Sequence, residues 1–128
     1  MKIFGLGTDI VDINRIKKSI KKNALLKQRI FSKKEILFCE KNKNSFSCYS
    51  KRFAAKEAFA KALGIGISKG LKFNEIELLN NLHGKPYITL KGKTLNVTKK
   101  IVKKKLFKSF VSLSDEKKYS IATVIIVI

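Results

Sequence analysis

Acidic residues, proline and tryptophan are scarce in this chain of 128 residues, which has nine Asp and Glu, one Pro and no Trp. It has one histidine, His83, and two cysteines, Cys39 and Cys48, without a C-x-x-C pair. These counts exclude zinc-ligand motifs and a dense disulfide framework. We therefore predict that both cysteines are reduced thiols and that His83 lies in a turn.

The chain also lacks a long hydrophobic run, and we expect no secretory leader. Asp9 and Asp12 interrupt the apolar N-terminal stretch, which is unlike a signal peptide. The C-terminal run IATVIIVI is too short to span a bilayer and is predicted to be a buried strand. We expect a cytoplasmic protein with one domain over residues 1–128, because a chain of this length builds one modest core.

Lysine is present in excess. The formal net charge is +20, and of 29 basic residues only Arg15, Arg29 and Arg52 are arginines. Such a charge predicts an anionic partner. Lysine, isoleucine and asparagine also have AT-rich codons, so genome composition is an alternative source of much of this charge.

Apolar periodicity and turn signals predict an α+β fold with an antiparallel sheet. Residues 2–11 are predicted to form a strand, and Asp12 caps a helix over about 13–22. Further helices are predicted over 24–31, 33–41, from about 46–50 to Leu63 and over 93–105. The predicted later strands are FNEIELL, PYITL, FKSFVSLS and YSIATVIIVI.

Two segments place a carboxylate in apolar surroundings, GLGTDIVD at residues 5–12 and RFAAKEAFAKALG at residues 52–64. Asp9 interrupts an apolar strand, and Glu57 lies in a helix that is apolar nearly all round. One interpretation is structural: Asp9 caps the next helix, and Glu57 forms a surface ion pair with Lys61. The other is a Mg²⁺ site, because Mg²⁺ takes few carboxylates together with water and substrate phosphate oxygens. Spacing alone leaves both open.

The segments GLGTDIVDINRI and RFAAKEAFAKALGIGI, in this order, resemble the small 4′-phosphopantetheinyl transferases called holo-acyl-carrier-protein synthases. HGKPYI and FVSLSDEKKYSIATVII extend the resemblance through most of the chain. It implies the α+β fold of that family and a homotrimer. It also implies Mg²⁺-dependent transfer of the phosphopantetheine arm from coenzyme A to a serine of apo-acyl carrier protein. This reaction releases 3′,5′-ADP and supports fatty acid biosynthesis.

The resemblance also assigns roles to residues. Asp9 and Glu57 bind Mg²⁺ and, with Lys61, form the catalytic group. The implied coenzyme A contacts are Arg52, Phe53, Lys56, Gly64, Gly66, Ile67, Lys85, Pro86 and Ser114.

The basic helix that follows Asp12 is implied to dock the acidic carrier protein, through Arg15 with Lys18 and Lys22. One position departs from the pattern. Asp115 stands where many relatives have a histidine, so no histidine role is carried over.

A basic nucleic-acid-binding module is the alternative function, and the charge favours it. The chain has no RRM, KH or zinc-finger pattern, and such a module has no need for carboxylates in apolar elements. We therefore expect an enzyme, with coenzyme A and acyl carrier protein as partners and with neither nucleic acid nor a membrane among them.

Overall fold

Five helices and five strands form the chain in a computed structural model that describes residues 1–128. They confirm the predicted α+β class. In chain order the elements are β1 (Ile3–Asp12), α1 (Ile13–Lys22), α2 (Ala24–Ile30), α3 (Lys33–Glu40), α4 (Ser45–Leu63), a 3₁₀ turn (Phe73–Glu75), β2 (Ile76–Asn80), β3 (Pro86–Leu90), α5 (Gly92–Val102), β4 (Lys108–Asp115) and β5 (Tyr119–Val127).

The strands form two antiparallel sheets. The larger sheet has the order β1-β5-β4, so the first strand pairs with the last one in the chain. The smaller sheet is the β2-β3 hairpin, whose turn contains the exposed His83, as predicted. Helix α4 covers the inner face of the larger sheet, and most of its side chains are buried. None of the helices is both long and apolar enough to cross a membrane.

Glycines allow α4 to lie unusually close to β1. A Cβ atom added to Gly5 would lie 1.8 Å from the carbonyl oxygen of Ala62, and one added to Gly7 would lie 1.9 Å from that of Ala58. Both distances are far inside van der Waals contact. The small residues of β1 and α4 therefore set the spacing between this strand and this helix.

The helix ends follow local chemistry. Asp12 accepts a hydrogen bond from the Arg15 amide, Ser32 and Glu35 form a capping box, and Gly64 ends α4 with φ +82°. Two boundaries differ from the prediction. The first residues of FNEIELL form a 3₁₀ turn, and α5 ends at Val102 because Lys103 adopts the left-handed region.

A fully buried ion pair joins α4 to α3. Lys56 Nζ donates to Glu35 Oε1 at 2.7 Å, to the Phe73 carbonyl at 2.8 Å and to the Ile76 carbonyl, which uses all three ammonium protons. Glu35 also accepts hydrogen bonds from the amides of Ser32 and Leu78. Burial lowers the pKa of Lys56, and the Glu35 carboxylate opposes that shift. Because each polar atom has a partner, the pair is tolerated in the interior.

The two cysteines are joined, so the prediction of two free thiols is wrong. Cys39 near the end of α3 and Cys48 in the first turn of α4 form a disulfide, with their Cα atoms 5.5 Å apart. Both are buried. The two helix ends lie side by side in the fold, and the sequence carries no sign of that proximity.

Substitution of Gly7 by alanine is expected to destabilise the protein by about 3 kcal/mol, because the new methyl group overlaps the Ala58 carbonyl and forces α4 from the sheet. Urea unfolding measures the loss. Gly66→Ala is the matched control, because the nearest atom to its added Cβ is Ser68 Oγ at 3.9 Å. Equal midpoints for the two variants would contradict the close-packing argument.

Candidate active site

A cleft of about 410 Å³ lies between β1, α1, α2 and α4. Four charged side chains line it: Asp9, Asp12, Arg15 and Glu57. Phe53, a predicted coenzyme A contact, also lines it. The remaining lining residues are mostly apolar and were not predicted, namely Ile10, Val11, Ile16, Ser19, Leu26 and Ile30. The structure therefore brings together both predicted catalytic carboxylates, Phe53 and the proposed docking arginine.

The alternation of β1 directs Asp9 toward α4. Gly7 and Val11 are buried on the inner side of the strand, and Asp9 lies between them in the same alternation. Since Gly7 lies against Ala58, the close approach of strand and helix carries Asp9 to Glu57, which precedes Ala58. The two segments singled out in the sequence thus meet through their small residues.

Lys61 pairs with Asp9 and not with Glu57. Its Nζ lies 3.1 Å from Asp9 Oδ1 and 3.0 Å from the Thr8 carbonyl oxygen. The helix cap comes from Asp12. Both structural interpretations, an Asp9 cap and a Glu57–Lys61 surface pair, are therefore wrong.

Glu57 has no ion-pair partner and is half-buried. Burial raises the pKa of its carboxyl group, the negative charge of Asp9 raises it further, and Lys61 acts in the opposite direction. The carboxylate is held in a position that disfavours its own charge. Such groups are common where a cation or a proton is handled.

The structure turns Arg52 and Lys56 away from the cleft, although both are predicted coenzyme A contacts. Lys56 is fully buried and forms an ion pair with Glu35. Arg52 is buried, donates to Asn80 Oδ1 at 2.8 Å, and lies over the Phe38 ring at 4.5 Å. The reason is helical geometry. Arg52 lies five residues before Glu57, and Lys56 lies five residues before Lys61. Side chains five residues apart on a helix point in directions about 140° apart. Within one chain both side chains support the fold.

The other predicted coenzyme A contacts lie outside this cleft. Gly64, Gly66 and Ile67 follow the end of α4. Lys85 and Pro86 line a separate cleft against β4. Ser114 is exposed on β4, two strands away from Ile10 of β1. One copy of the chain does not assemble all the predicted residues around Asp9 and Glu57.

A second polar cleft, of about 680 Å³, lies at the start of α4. Asp115 is part of its wall; it accepts a hydrogen bond from Ser47 Oγ at 2.7 Å and pairs with Lys51 at 3.4 Å. The Ser47 hydrogen bond holds the pKa of Asp115 below its ordinary value. Lys17 and Lys43 line the same cleft and were not predicted, since their segments are far apart in the sequence.

Helix α1 presents its basic side chains beside the first cleft. Ile16 and Ile20 are buried and Ile13 is half-buried, as the predicted apolar stripe requires. The opposite side is left to exposed basic residues, Arg15, Lys18, Lys21 and Lys22. Arg15 both belongs to this basic side and lines the cleft.

The carboxylates of the cleft supply two ligands for Mg²⁺, so water and substrate oxygens would have to supply the others. Asp12 also lines the cleft but caps α1, which leaves Asp9 and Glu57 as the candidate ligands, one from β1 and one from α4. No group of three or more His, Cys, Asp or Glu side chains is arranged to hold a metal ion. A two-carboxylate site suits Mg²⁺ when water and substrate phosphate oxygens complete its coordination. A bound cation would offset the repulsion between the negative charges of Glu57 and Asp9.

The fold and the cleft define a small α+β enzyme with a paired-carboxylate and lysine site. Residues 5–124 match the model of the 4′-phosphopantetheinyl transferase superfamily, and the chain belongs to this superfamily. The match favours the enzyme over the nucleic-acid-binding alternative.

Named relatives cover nearly the whole chain. A holo-[acyl-carrier-protein] synthase of Pelagibacter ubique is 49% identical over 126 residues, which are 98% of each chain. The crystal structure of the Neisseria meningitidis synthase superposes with a TM-score of 0.85 at 34% identity, over 97% of this chain and 98% of that one. The Helicobacter pylori synthase, solved in complex with coenzyme A, has a TM-score of 0.78 at 31% identity, over 94% and 98% of the two chains.

The pKa of Glu57 generates a prediction about stability. Because its pKa is raised on folding, the folded chain holds a proton that the unfolded chain loses as pH rises above about 4.5. Stability from this group therefore falls as pH rises through the raised value. Glu57→Gln lacks this loss and should unfold at higher urea than the wild type at pH 8, with a smaller difference at pH 5. A variant less stable than the wild type at pH 8 would contradict the assigned shift.

Proposed function

We propose that this chain transfers the 4′-phosphopantetheine arm of coenzyme A to a serine of apo-acyl carrier protein and releases 3′,5′-ADP. Mg²⁺ is the proposed metal, and fatty acid biosynthesis is the proposed process served. The single observation that carries the proposal is the meeting of Asp9 and Glu57 at one cleft beside a basic helix, with Lys61 paired to Asp9. Superfamily membership and the relatives' names support the reaction.

The carboxylates of Asp9 and Glu57 are the proposed Mg²⁺ ligands. When bound, Mg²⁺ supplies a Lewis acid that neutralises charge on the pyrophosphate of coenzyme A. The two side chains come from β1 and α4, so the rigid packing of strand on helix fixes the distance between them. A phosphoryl transfer depends mainly on such positioning and charge neutralisation.

Lys61 is suited to hold a phosphate oxygen. Two of its three ammonium protons are directed to Asp9 and to the Thr8 carbonyl, which leaves one donor for a substrate. Its side chain is 55% exposed, so a ligand can reach it. As a point charge at the end of a flexible stem, it can follow the leaving phosphate.

Glu57 is the proposed general base. The serine Oγ of the carrier protein attacks the β-phosphorus of coenzyme A, and a new Oγ–P bond forms. The P–O bond to the leaving 3′,5′-ADP breaks, and the serine proton passes to the Glu57 carboxylate. Glu57 lines the cleft and has no ion-pair partner in the chain, so its carboxylate is available to accept this proton.

Helix α1 is the proposed docking surface for the acidic carrier protein. Arg15 lies at the cleft itself, and Lys18 and Lys22 extend the positive charge along the helix. A basic surface next to the reacting groups steers an acidic partner and fixes its orientation. The incoming serine would then approach from the side of the cleft that α1 forms.

A homotrimer is the proposed assembly. The outer face of the larger sheet leaves apolar side chains exposed on all three strands, including Leu6, Ile10, Ile121 and Phe110. Lys85, Pro86 and Ser114 are separated from Asp9 within one chain, so they can complete a coenzyme A site only from a neighbouring copy. Sedimentation velocity distinguishes a trimer from a 14.5 kDa monomer.

The cytoplasm is the proposed location, since coenzyme A and acyl carrier protein are the proposed substrates. The Cys39–Cys48 disulfide is unusual for a reducing compartment. The assignment therefore rests on the substrates and not on the cysteines.

Mass spectrometry of apo-acyl carrier protein tests the activity directly. With coenzyme A and Mg²⁺, the wild type should add the mass of one phosphopantetheine arm, and chelation of the metal should stop the reaction. Glu57→Gln at saturating Mg²⁺ should lower kcat by about 10²–10⁴-fold, because a general base is lost. Glu40→Gln, on the exposed end of α3, is the matched control and should keep its activity. Full kcat in Glu57→Gln once Mg²⁺ saturates would leave Glu57 as a metal ligand only.

Charge reversal of Arg15 tests the docking surface. Arg15→Glu should raise KM for the carrier protein about tenfold and leave KM for coenzyme A nearly unchanged, because a guiding charge beside the cleft becomes repulsive. Arg29→Glu carries the same charge change on an exposed position of α2 outside the cleft lining. Equal increases in both KM values, or equal effects of the two variants, would refute the docking role.

A further inference from the structure

One end of the larger sheet carries positive charge that no carboxylate side chain offsets in an ion pair. Lys103, Lys104 and Lys105 lie in the exposed connection from α5 to β4, and Lys108 begins β4. All four are exposed, and none takes part in an ion pair. The sequence contains no acidic residue between Glu77 and Asp115.

The start of the chain lies at the same end of the sheet. Ile3 and Lys108 both pair with Val127, from opposite sides of β5. Two strand spacings separate them, which is about 10 Å. Residues 1–3 and 103–108 therefore form one continuous surface, called here the basic end of the sheet.

Exposed aliphatic side chains stand among these lysines. Leu106 is 87% exposed and Ile3 is 65% exposed. Lysines around exposed aliphatic side chains form the pattern that binds anionic lipid, because the charges meet headgroups while the apolar side chains enter the interfacial layer. A single-stranded nucleic acid instead favours arginine and exposed aromatic rings for stacking. The basic end of the sheet has no arginine, and its one aromatic residue, Phe107, is half-buried.

Two simpler origins of the charge do not account for this arrangement. Codon composition adds lysine along the whole chain. It does not explain why residues 78–114 contain no Asp or Glu, or why Leu106 is exposed beside the lysines. The C-terminal dipole of α5 favours Lys99, Lys100 and Lys103. Lys104, Lys105 and Lys108 lie beyond its reach, in the loop and in the next strand.

We propose that the basic end of the sheet docks this protein on an anionic lipid bilayer. Lys104 and Lys105 contact the headgroup phosphates, and Leu106 enters the interface. This differs from the sequence-based expectation that no membrane is a partner. None of these residues lines the cleft with Asp9 and Glu57.

Vesicle sedimentation of the full chain tests the proposal. Vesicles of phosphatidylcholine with phosphatidylglycerol should bind the wild type, and vesicles of phosphatidylcholine alone should not. The double variant Lys104→Gln/Lys105→Gln should lower the partition coefficient about 25-fold, since each lysine near such a surface contributes about fivefold. Lys33→Gln/Lys41→Gln removes the same charge from exposed positions elsewhere and should have little effect. Leu106→Ser keeps the charge and should weaken binding about tenfold.

Four results would overturn the proposal. The first is failure of the wild type to bind anionic vesicles, and the second is equal loss in the two double variants, which would indicate net charge alone. The third is unchanged binding by Leu106→Ser. The fourth is displacement of the protein from vesicles by a single-stranded oligonucleotide that binds the same lysines. Thermal unfolding and carrier-protein transfer in solution should match the wild type in every variant, which separates this result from the proposed catalytic function.

Discussion

The contact between β1 and α4 is the constraint on which the rest of the structure depends. Gly5 and Gly7 bring the strand so near to Ala58 and Ala62 that a single methyl group would overlap a backbone carbonyl. The same contact closes the inner face of the sheet and brings Asp9 to α4. Stability and the proposed chemistry therefore share one packing arrangement, since the small residues that build the core also place the charges.

Helix α4 sorts its charged residues into two environments. On one side, Lys56 and Arg52 are buried and hydrogen-bonded to other parts of the protein, so they act as fixed supports between α3, α4 and the smaller sheet. On the other side, Glu57 remains without an ion-pair partner and Lys61 retains a free donor beside Asp9. The contrast distinguishes charges that complete the fold from charges that await a ligand.

The surface divides the large positive charge in a similar way. Helix α1 holds basic side chains next to the cleft, where an acidic protein substrate is proposed to dock. The basic end of the sheet holds another set beside exposed aliphatic residues, away from that cleft. The net charge alone does not indicate where either group of basic residues lies. Their separate surroundings give them separate proposed partners.

The sequence by itself determined the local features: the cap at Asp12, the Ser32 capping box, the left-handed turn at Gly64 and the hairpins, because these depend on neighbours within a few residues. Its two motifs also pointed to Asp9 and Glu57. Only the tertiary structure decided that Lys61 pairs with Asp9, that Lys56 is closed off with Glu35, and that Cys39 meets Cys48. Those outcomes depend on how strands and helices distant in sequence pack together, and a local pattern carries no information about that geometry.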